Sequence, residues 1–279
     1  MEGKLRVLTV AGSAAGGSAG IQADLKTFQE LDVYGMSIIT AIVAKHPKTE
    51  VNIHRQSLEA IEAQFATAIN QANSFDGMKT GMLFSKEIIE KVTELIRFYN
   101  IDRVVVDPVM VGKHHSKLLK DDAIEAMREV LIPQAKMITP NMDEASILLE
   151  DRPLKTVADL KQAAIDLHEL GAAYVLVKGG RLDGPAVDVL FEGLSLTTFE
   201  APRINTHNTS GAGCTYSAAI AANLAKGLPV IEAVLKAKSY VTTGIEHGFS
   251  FTELPGPTMH AAERIYGEAH RIKVNTEKV

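Results

Sequence analysis

The apolar positions of this chain fall into two alternating kinds of segment. Short runs of consecutive or β-branched apolar residues read as buried strands. They are Leu5–Ala11 (LRVLTVA), Met36–Ala44 (MSIITAIVA), a stretch within Asp76–Leu83, Arg103–Val106, Lys136–Ile138 and Ala173–Val177. Between them lie longer stretches with apolar residues three and four apart, the period of an amphipathic helix. These predict helices from Ile21 to about Leu31, over Ser57–Asn73, Ser85–Tyr99 and Asp121–Leu131, from Asn141 to about Glu150, and over Thr156–Leu170. Ser57 and Thr156 suit the N-cap, and Gly171 suits the end of its helix. Ala186–Phe191 and Ser195–Phe199 predict a hairpin about Glu192-Gly193. Helices are then predicted over Ser217–Ala225, Val230–Gly244 and Thr258–Arg271, the last capped by Thr258.

Strands alternating with helices imply a largely parallel sheet covered on both faces, in one α/β domain spanning residues 1–279. No Pro- or Ser-rich linker interrupts the chain, and it carries no internal repeat. Apolar residues make up 46% of it, which suffices for one large core. The net charge of −5, with no basic tract, argues against nucleic acid and anionic membranes as partners. No window approaches about 18 apolar residues. The opening MEGKLRVLTVAG reads as a strand and not as a leader, so a soluble, cytoplasmic protein is expected. One cysteine excludes an internal disulfide and a cysteine-based zinc cluster.

Ligands of such folds bind beyond the carboxyl ends of the strands, and the unusual residues fall there. The strand at Leu5 runs into Gly12–Gly20, an unbroken series of small residues before a helix. Asp107-Pro108 ends another strand with a carboxylate; by itself it reads as a turn aspartate capping a helix, and the other strand ends shift the reading toward a ligand. Thr139-Pro140-Asn141 ends a third. Asn141 and Glu144 have capping-box spacing, and Glu144 could also reach a hydrated Mg²⁺. Lys178-Gly179-Gly180 ends a fourth, where a lysine among glycines suits a phosphate. Ser210-Gly211-Ala212-Gly213-Cys214-Thr215 feeds the Ala-rich helix. A helix N-terminus with glycines can hold a phosphate or an oxyanion, and it is also where a thiol ionises near neutral pH. The alternative is a packed turn with a small buried cysteine. Together these features make phosphoryl transfer the most economical chemistry. His114-His115 are a poor metal pair, since adjacent residues point apart.

The segments Ala11–Phe28 (AGSAAGGSAGIQADLKTF), Lys79–Leu83 (KTGML), Asp107–Val111 (DPVMV), Thr139–Ala145 (TPNMDEA), Val177–Gly180 (VKGG) and Gly211–Ala219 (GAGCTYSAA) occur in this order in the ribokinase-like vitamin kinases. The chain resembles that family over nearly its whole length. Two branches are similar to it: the pyridoxal kinases of Gram-positive bacteria and the hydroxymethylpyrimidine (phosphate) kinases. The resemblance implies a three-layer α/β/α sandwich, a homodimer, and ATP with Mg²⁺. It implies ATP contacts at Thr139, Lys178, Gly179, Gly180, Gly213 and Lys238, and Asp107 and Glu144 near the metal. It implies Ser13, Gly20, Lys45, Met82, Val109 and Cys214 around a small heteroaromatic ring, transfer over Gly211, Ala212, Gly213 and Cys214, and a lid near residues 110–119.

Three positions depart from the pattern. Ala14 stands where the family has aspartate, and Lys45 where it has glutamine or methionine. Gly112 stands where many pyridoxal kinases of this branch carry a lid cysteine. The phosphate half of the expected site is intact and the ring half is altered. Pyridoxal is the expected substrate, with hydroxymethylpyrimidine or its phosphate as the alternative. A relative without catalytic activity is the third reading, which Ala14 keeps open. Lys45 is expected either to line the ring pocket or to extend into solvent. Cys214 is expected to act as a base, to trap an aldehyde, or simply to fill space.

Overall fold

A β-strand whose residues 7–11 are all buried, β1 (Arg6–Ala14), lies third from one edge of a sheet of ten strands. The structure is a computed structural model and describes residues 3–44, 52–111, 119–268 and 270–279. Strands β2 (Tyr34–Val43), β4 (Gly77–Thr80), β5 (Val104–Val106), β6 (Met137–Ile138) and β7 (Tyr174–Gly179) run parallel to β1. The antiparallel strands β8 (Ala186–Phe191), β9 (Ser195–Ala201) and β10 (Lys273–Lys278) extend one side, and β3 (Ile53–Arg55) closes the other. The order across the sheet is β10-β9-β8-β7-β6-β5-β4-β1-β2-β3.

Side-chain alternation divides the core into two layers. Leu8, Val10, Val104, Val106, Ile138, Val175 and Val177 face α2 (Leu58–Ala72), α3 (Lys86–Phe98), α4 (Asp121–Ala126), α5 (Met142–Leu148) and α6 (Val157–His168). Val7, Val105, Met137 and Leu176 face α1 (Ile21–Glu30), α7 (Ala212–Ala225) and α8 (Val230–Glu246). Burial on both faces is why so short a strand as β5 holds its place. Each of its three valines is fully buried, and each such side chain contributes roughly 1.5–3 kcal/mol.

The helix starts follow their predicted caps. Ser57 accepts from Ala60 N–H at 3.2 Å, and Asn141 with Glu144 and Thr156 with Asp159 form capping boxes. Several details differ from the sequence reading, among them strand β3, which it did not predict. Strand β1 continues through Gly12-Ser13-Ala14, because Ser13 and Ala14 still pair with β2. The helix expected to reach Leu131 is α-helical only to Ala126; a π turn over Met127–Leu131 and a 3₁₀ turn over Ile132–Gln134 follow, the latter containing Pro133. Helix α7 begins five residues before Ser217. The helix expected over Thr258–Arg271 is only α9 (Ala262–Tyr266), stopped by Gly267 at φ +80°. Thr258 is no cap: α9 begins at Ala262, so Ala261 holds the cap position, while the Thr258 N–H donates to Ser210 O at 3.2 Å. Residues 273–278, for which the sequence pattern predicts no element, form the edge strand β10, a charged and wholly exposed strand that pairs with β9. No helix among the described residues is long and apolar enough to cross a membrane.

Candidate active site

The carboxyl ends of β4, β5, β6 and β7 bring a line of buried charges under the first turn of α7. Asp107, the residue after β5, is 2% exposed. Lys178 Nζ donates to its Oδ1 at 2.7 Å and Thr139 Oγ1 to the same oxygen at 3.3 Å. Ser217 Oγ on α7 lies 3.1 Å from Oδ2, and Lys79 Nζ on β4 lies 4.0 Å from it. Lys79 is itself clasped by Asp24 of α1, at 3.0 Å to each carboxylate oxygen, and Thr9 Oγ1 donates to Asp24 at 2.6 Å. Buried charges persist only when paired in this way.

Backbone pairing aims Lys178 at the cluster. Its N–H donates to Pro140 O at 2.8 Å, so the tips of β6 and β7 are joined where both lysine and cap residue are needed. Glu144 accepts from Asn141 N–H at 2.8 Å and is 3% exposed. Burial pushes its carboxyl up to about 8, with Asp107 adding to the effect and Lys178 opposing it.

The Gly211–Cys214 turn is fixed by close contact with the loop after β1. Gly211 has φ +83°, and a Cβ there would lie 1.6 Å from Ser18 O, so only glycine fits. Ser18 Oγ and Ser210 Oγ are 2.9 Å apart, tying the two loops together. No side chain caps α7, which leaves its first turn to act as an anion-binding end. A Cβ on Gly213 would be 3.5 Å from Lys178 Nζ, so turn and lysine face one space. Cys214 is half-buried here. Its thiol differs from the expectation of a thiolate. Burial raises it above the ordinary value, the Asp107 and Asp24 charges add to this, and Lys79 and the Gly20 N–H only partly offset them. Desolvation and the two carboxylates outweigh the nearby lysine.

Of the expected ring residues, Gly20 lies against this turn, its N–H beside Cys214. Gly20, at φ +61°, lets the loop close back on β1, since a Cβ would lie 2.1 Å from Gly12 O. Ser13 bridges Gly20 and accepts from Gln22 Nε2 at 2.8 Å. Met82 is half-buried, with its carbonyl taken by Thr40 Oγ1 at 2.7 Å. Val109 is half-buried, and its N–H donates to Asp107 O at 2.8 Å. Lys45, His114-His115 and residues 112–118 of the expected lid lie outside the described residues.

Lys238 sits one layer below. Its Nζ donates to buried Asp188 Oδ2 at 2.6 Å, and Asp188 Oδ1 accepts from Gly179 N–H at 3.0 Å. Lys238 therefore supports the tip of β7 from beneath, and the Gly179 N–H is already engaged. The Gly180 carbonyl accepts from Arg203. Sequence reading missed Asp24, Lys79, Asp188 and Ser217 as parts of the site. The signal for Asp24 is a charged residue on the apolar face of α1, between Ile21, Ala23, Thr27 and Phe28. Cavities of about 470 and 320 Å³ lie at the opposite, amino end of the strands, one lined by Arg103, Lys136 and Tyr174 and the other by Asn223, Lys226 and Tyr240. Neither adjoins the charged cluster, where the chemistry is concentrated.

The donors suit hydrated Mg²⁺. Among the described residues no group of three His, Cys, Asp or Glu side chains could enclose a bare ion. Asp107 and Glu144 offer oxygens to an ion that keeps most of its water and leans on phosphates. A buried carboxyl pushed toward its neutral form is one that a divalent cation would return to carboxylate.

Comparison with known proteins gives concordant results. The family model described as phosphomethylpyrimidine kinase matches residues 15–259. A pyridoxine kinase of Bacillus subtilis (strain 168) is 46% identical over 264 residues, covering 93% of this chain and 97% of that protein. The hydroxymethylpyrimidine/phosphomethylpyrimidine kinase of the same organism is 40% identical over 259 residues, covering 92% and 95%. The structure of pyridoxal kinase from Staphylococcus aureus in complex with AMP-PCP and pyridoxal superposes with a TM-score of 0.89, at 37% identity, over 99% of this chain and 100% of that one.

Proposed function

This chain belongs to the phosphomethylpyrimidine kinase family, an ATP-dependent kinase of ribokinase-like fold, and from that premise we propose that it phosphorylates the hydroxymethyl group of pyridoxal or a related B6 vitamer. The observation that carries the proposal is the Lys178–Asp107 pair facing the Gly211–Cys214 turn. The substrate class follows the 46% identical pyridoxine kinase and the neighbour with bound pyridoxal. The alternative, hydroxymethylpyrimidine or its phosphate, is supported by the 40% identical relative and by the matching family model.

The residues divide the work. Lys178 and the first turn of α7 hold the transferring phosphoryl group, with Thr139 fixing Asp107 from the side. Gly179, Gly180 and Lys238 shape the nucleotide end. Asp107 and Glu144 would hold Mg²⁺ through water, and the ion would neutralise phosphate charge. Ser13, Gly20, Lys45, Met82 and Val109 surround the ring, and Cys214 faces its reactive arm. The hydroxymethyl oxygen bonds to the γ-phosphorus, the bond to the ADP oxygen breaks, and the hydroxyl proton passes to Cys214 where its thiolate forms in the complex, or otherwise to water. Positioning and charge stabilisation supply most of the acceleration. A homodimer and a cytoplasmic setting belong to the same reading.

The test is ADP release and product phosphorylation with MgATP and each vitamin separately. Pyridoxal should yield its 5′-phosphate most efficiently. A preference for hydroxymethylpyrimidine would favour the alternative, and no turnover with any of them would point to the reading without catalysis, for which Ala14 speaks.

A further inference from the structure

Lys79 is fully buried, so it touches no ligand, yet it sits one step from the reacting centre. Its ammonium lies 3.0 Å from both oxygens of Asp24 and 4.0 Å from Asp107 Oδ2. The missing side chain of Gly81 leaves room for it: a Cβ there would stand 3.0 Å from Nζ. Asp107 is thus held between two cations. Lys178 takes Oδ1, and Lys79 faces Oδ2 from the other side, beside Ser217. A buried ion pair such as Lys79–Asp24 is often no more stable than a neutral pair of the same volume. Folding alone gives little reason to place it here.

We infer that Lys79 is a positioning residue for phosphoryl transfer, its ammonium clamped by Asp24 so that it fixes the charge and orientation of Asp107 from the face opposite Lys178. The inference rests on Asp107 belonging to the phosphoryl-transfer site. Removing Lys79 should leave nucleotide binding in place and slow the chemical step. Lys79 reaches the reacting centre through Asp107, at 4.0 Å, and through its charge on Cys214, not by touching nucleotide.

The experiment replaces both members of the clamp, so that no charge is orphaned. Lys79→Met/Asp24→Asn keeps a partner for the Thr9 hydroxyl, and Lys79→Met/Asp24→Leu is a second pairing. Melting temperature, ADP affinity, kcat and KM for MgATP are measured for each. The expected result is a folded protein with KM within ~3-fold of wild type and kcat at least ~10-fold lower. Wild-type kcat in either folded double variant overturns the inference. So does loss of ADP binding together with kcat in both, which would make Lys79 a structural residue only. Asp107→Asn is measured alongside. Wild-type kcat in that variant sinks the reading of the site itself, whereas wild-type kcat confined to the double variants sinks only the role of Lys79.

Discussion

Lys178 Nζ and Asp107 Oδ1 are 2.7 Å apart, across the tips of two strands that are not neighbours in the sheet. Strand β6 lies between them and contributes Thr139 to the same carboxylate oxygen. The pair therefore reports whether three strand ends are in register. Lys178→Met removes the charged donor and leaves Asp107 buried with Thr139, Ser217 and the more distant Lys79. Stability should fall by about 3 kcal/mol, the lower end for a broken buried pair, because these partners persist. Affinity for ATP should fall with it. Denaturant unfolding and a nucleotide titration check both; a variant with unchanged ATP affinity would show that the lysine serves the fold alone.

Gly211→Ala tests the contact between the two loops. A methyl group there would meet the Ser18 carbonyl at 1.6 Å, at a backbone angle that disfavours side chains. The variant should lose both stability and turnover. Full activity at wild-type melting temperature would mean that the loops separate without consequence.

The state of Cys214 gives a pH prediction. Burial and the Asp107 and Asp24 charges hold its pKa above the ordinary thiol value, so the free protein presents a thiol at neutral pH. Its alkylation rate by iodoacetamide should climb steadily from neutral pH past pH 9. A rate already at its plateau near pH 7 would restore the thiolate. Cys214→Ala then separates the roles: a fall confined to pyridoxal marks aldehyde trapping, and an equal fall with pyridoxine and hydroxymethylpyrimidine marks a base ionised only in the complex.

His260 links pH to stability. Burial pushes its imidazole down to about 4, with Lys26 acting in the same direction, and its Nε2 lies 3.1 Å from Thr215 Oγ1 on α7. Between about pH 6.5 and 4 the unfolded chain binds a proton here that the folded chain refuses. The stability from a neutral His260 is thus present above 6.5 and is lost as pH falls toward 4. The melting-temperature difference between wild type and His260→Gln should shrink over that window. A constant difference would place the imidazole pKa near its ordinary value.

The layered fold was legible because its signals are local. Strand runs, caps at Ser57, Asn141 and Thr156, and the hairpin at Glu192-Gly193 depend on neighbours in sequence. Strand β10 was not, since Lys273–Lys278 is wholly exposed and extended only through its pairing with β9. In the site, Asp107, Lys178 and the glycine turn stand at strand or helix ends, where a polar residue is conspicuous. Asp188 looks ordinary in a hairpin, and only its meeting with Lys238 at 2.6 Å gives it a role; Lys238, expected at the nucleotide, is drawn to Asp188 instead. The thiol misled for a related reason: the helix end is visible in sequence, but the two carboxylates beside it come from distant segments.

The central claim is that phosphoryl transfer occurs over the Gly211–Cys214 turn beside Lys178. Gly213→Val tests it most directly, because its Cβ would stand 3.5 Å from Lys178 Nζ, an ordinary contact that the fold tolerates. The measurement is kcat with MgATP and pyridoxal, with melting temperature as the control for folding. The account predicts an intact fold and a kcat lower by ~100-fold or more, because the valine side chain takes the space between turn and lysine that the phosphoryl group needs. Near-normal turnover by the folded variant would contradict it.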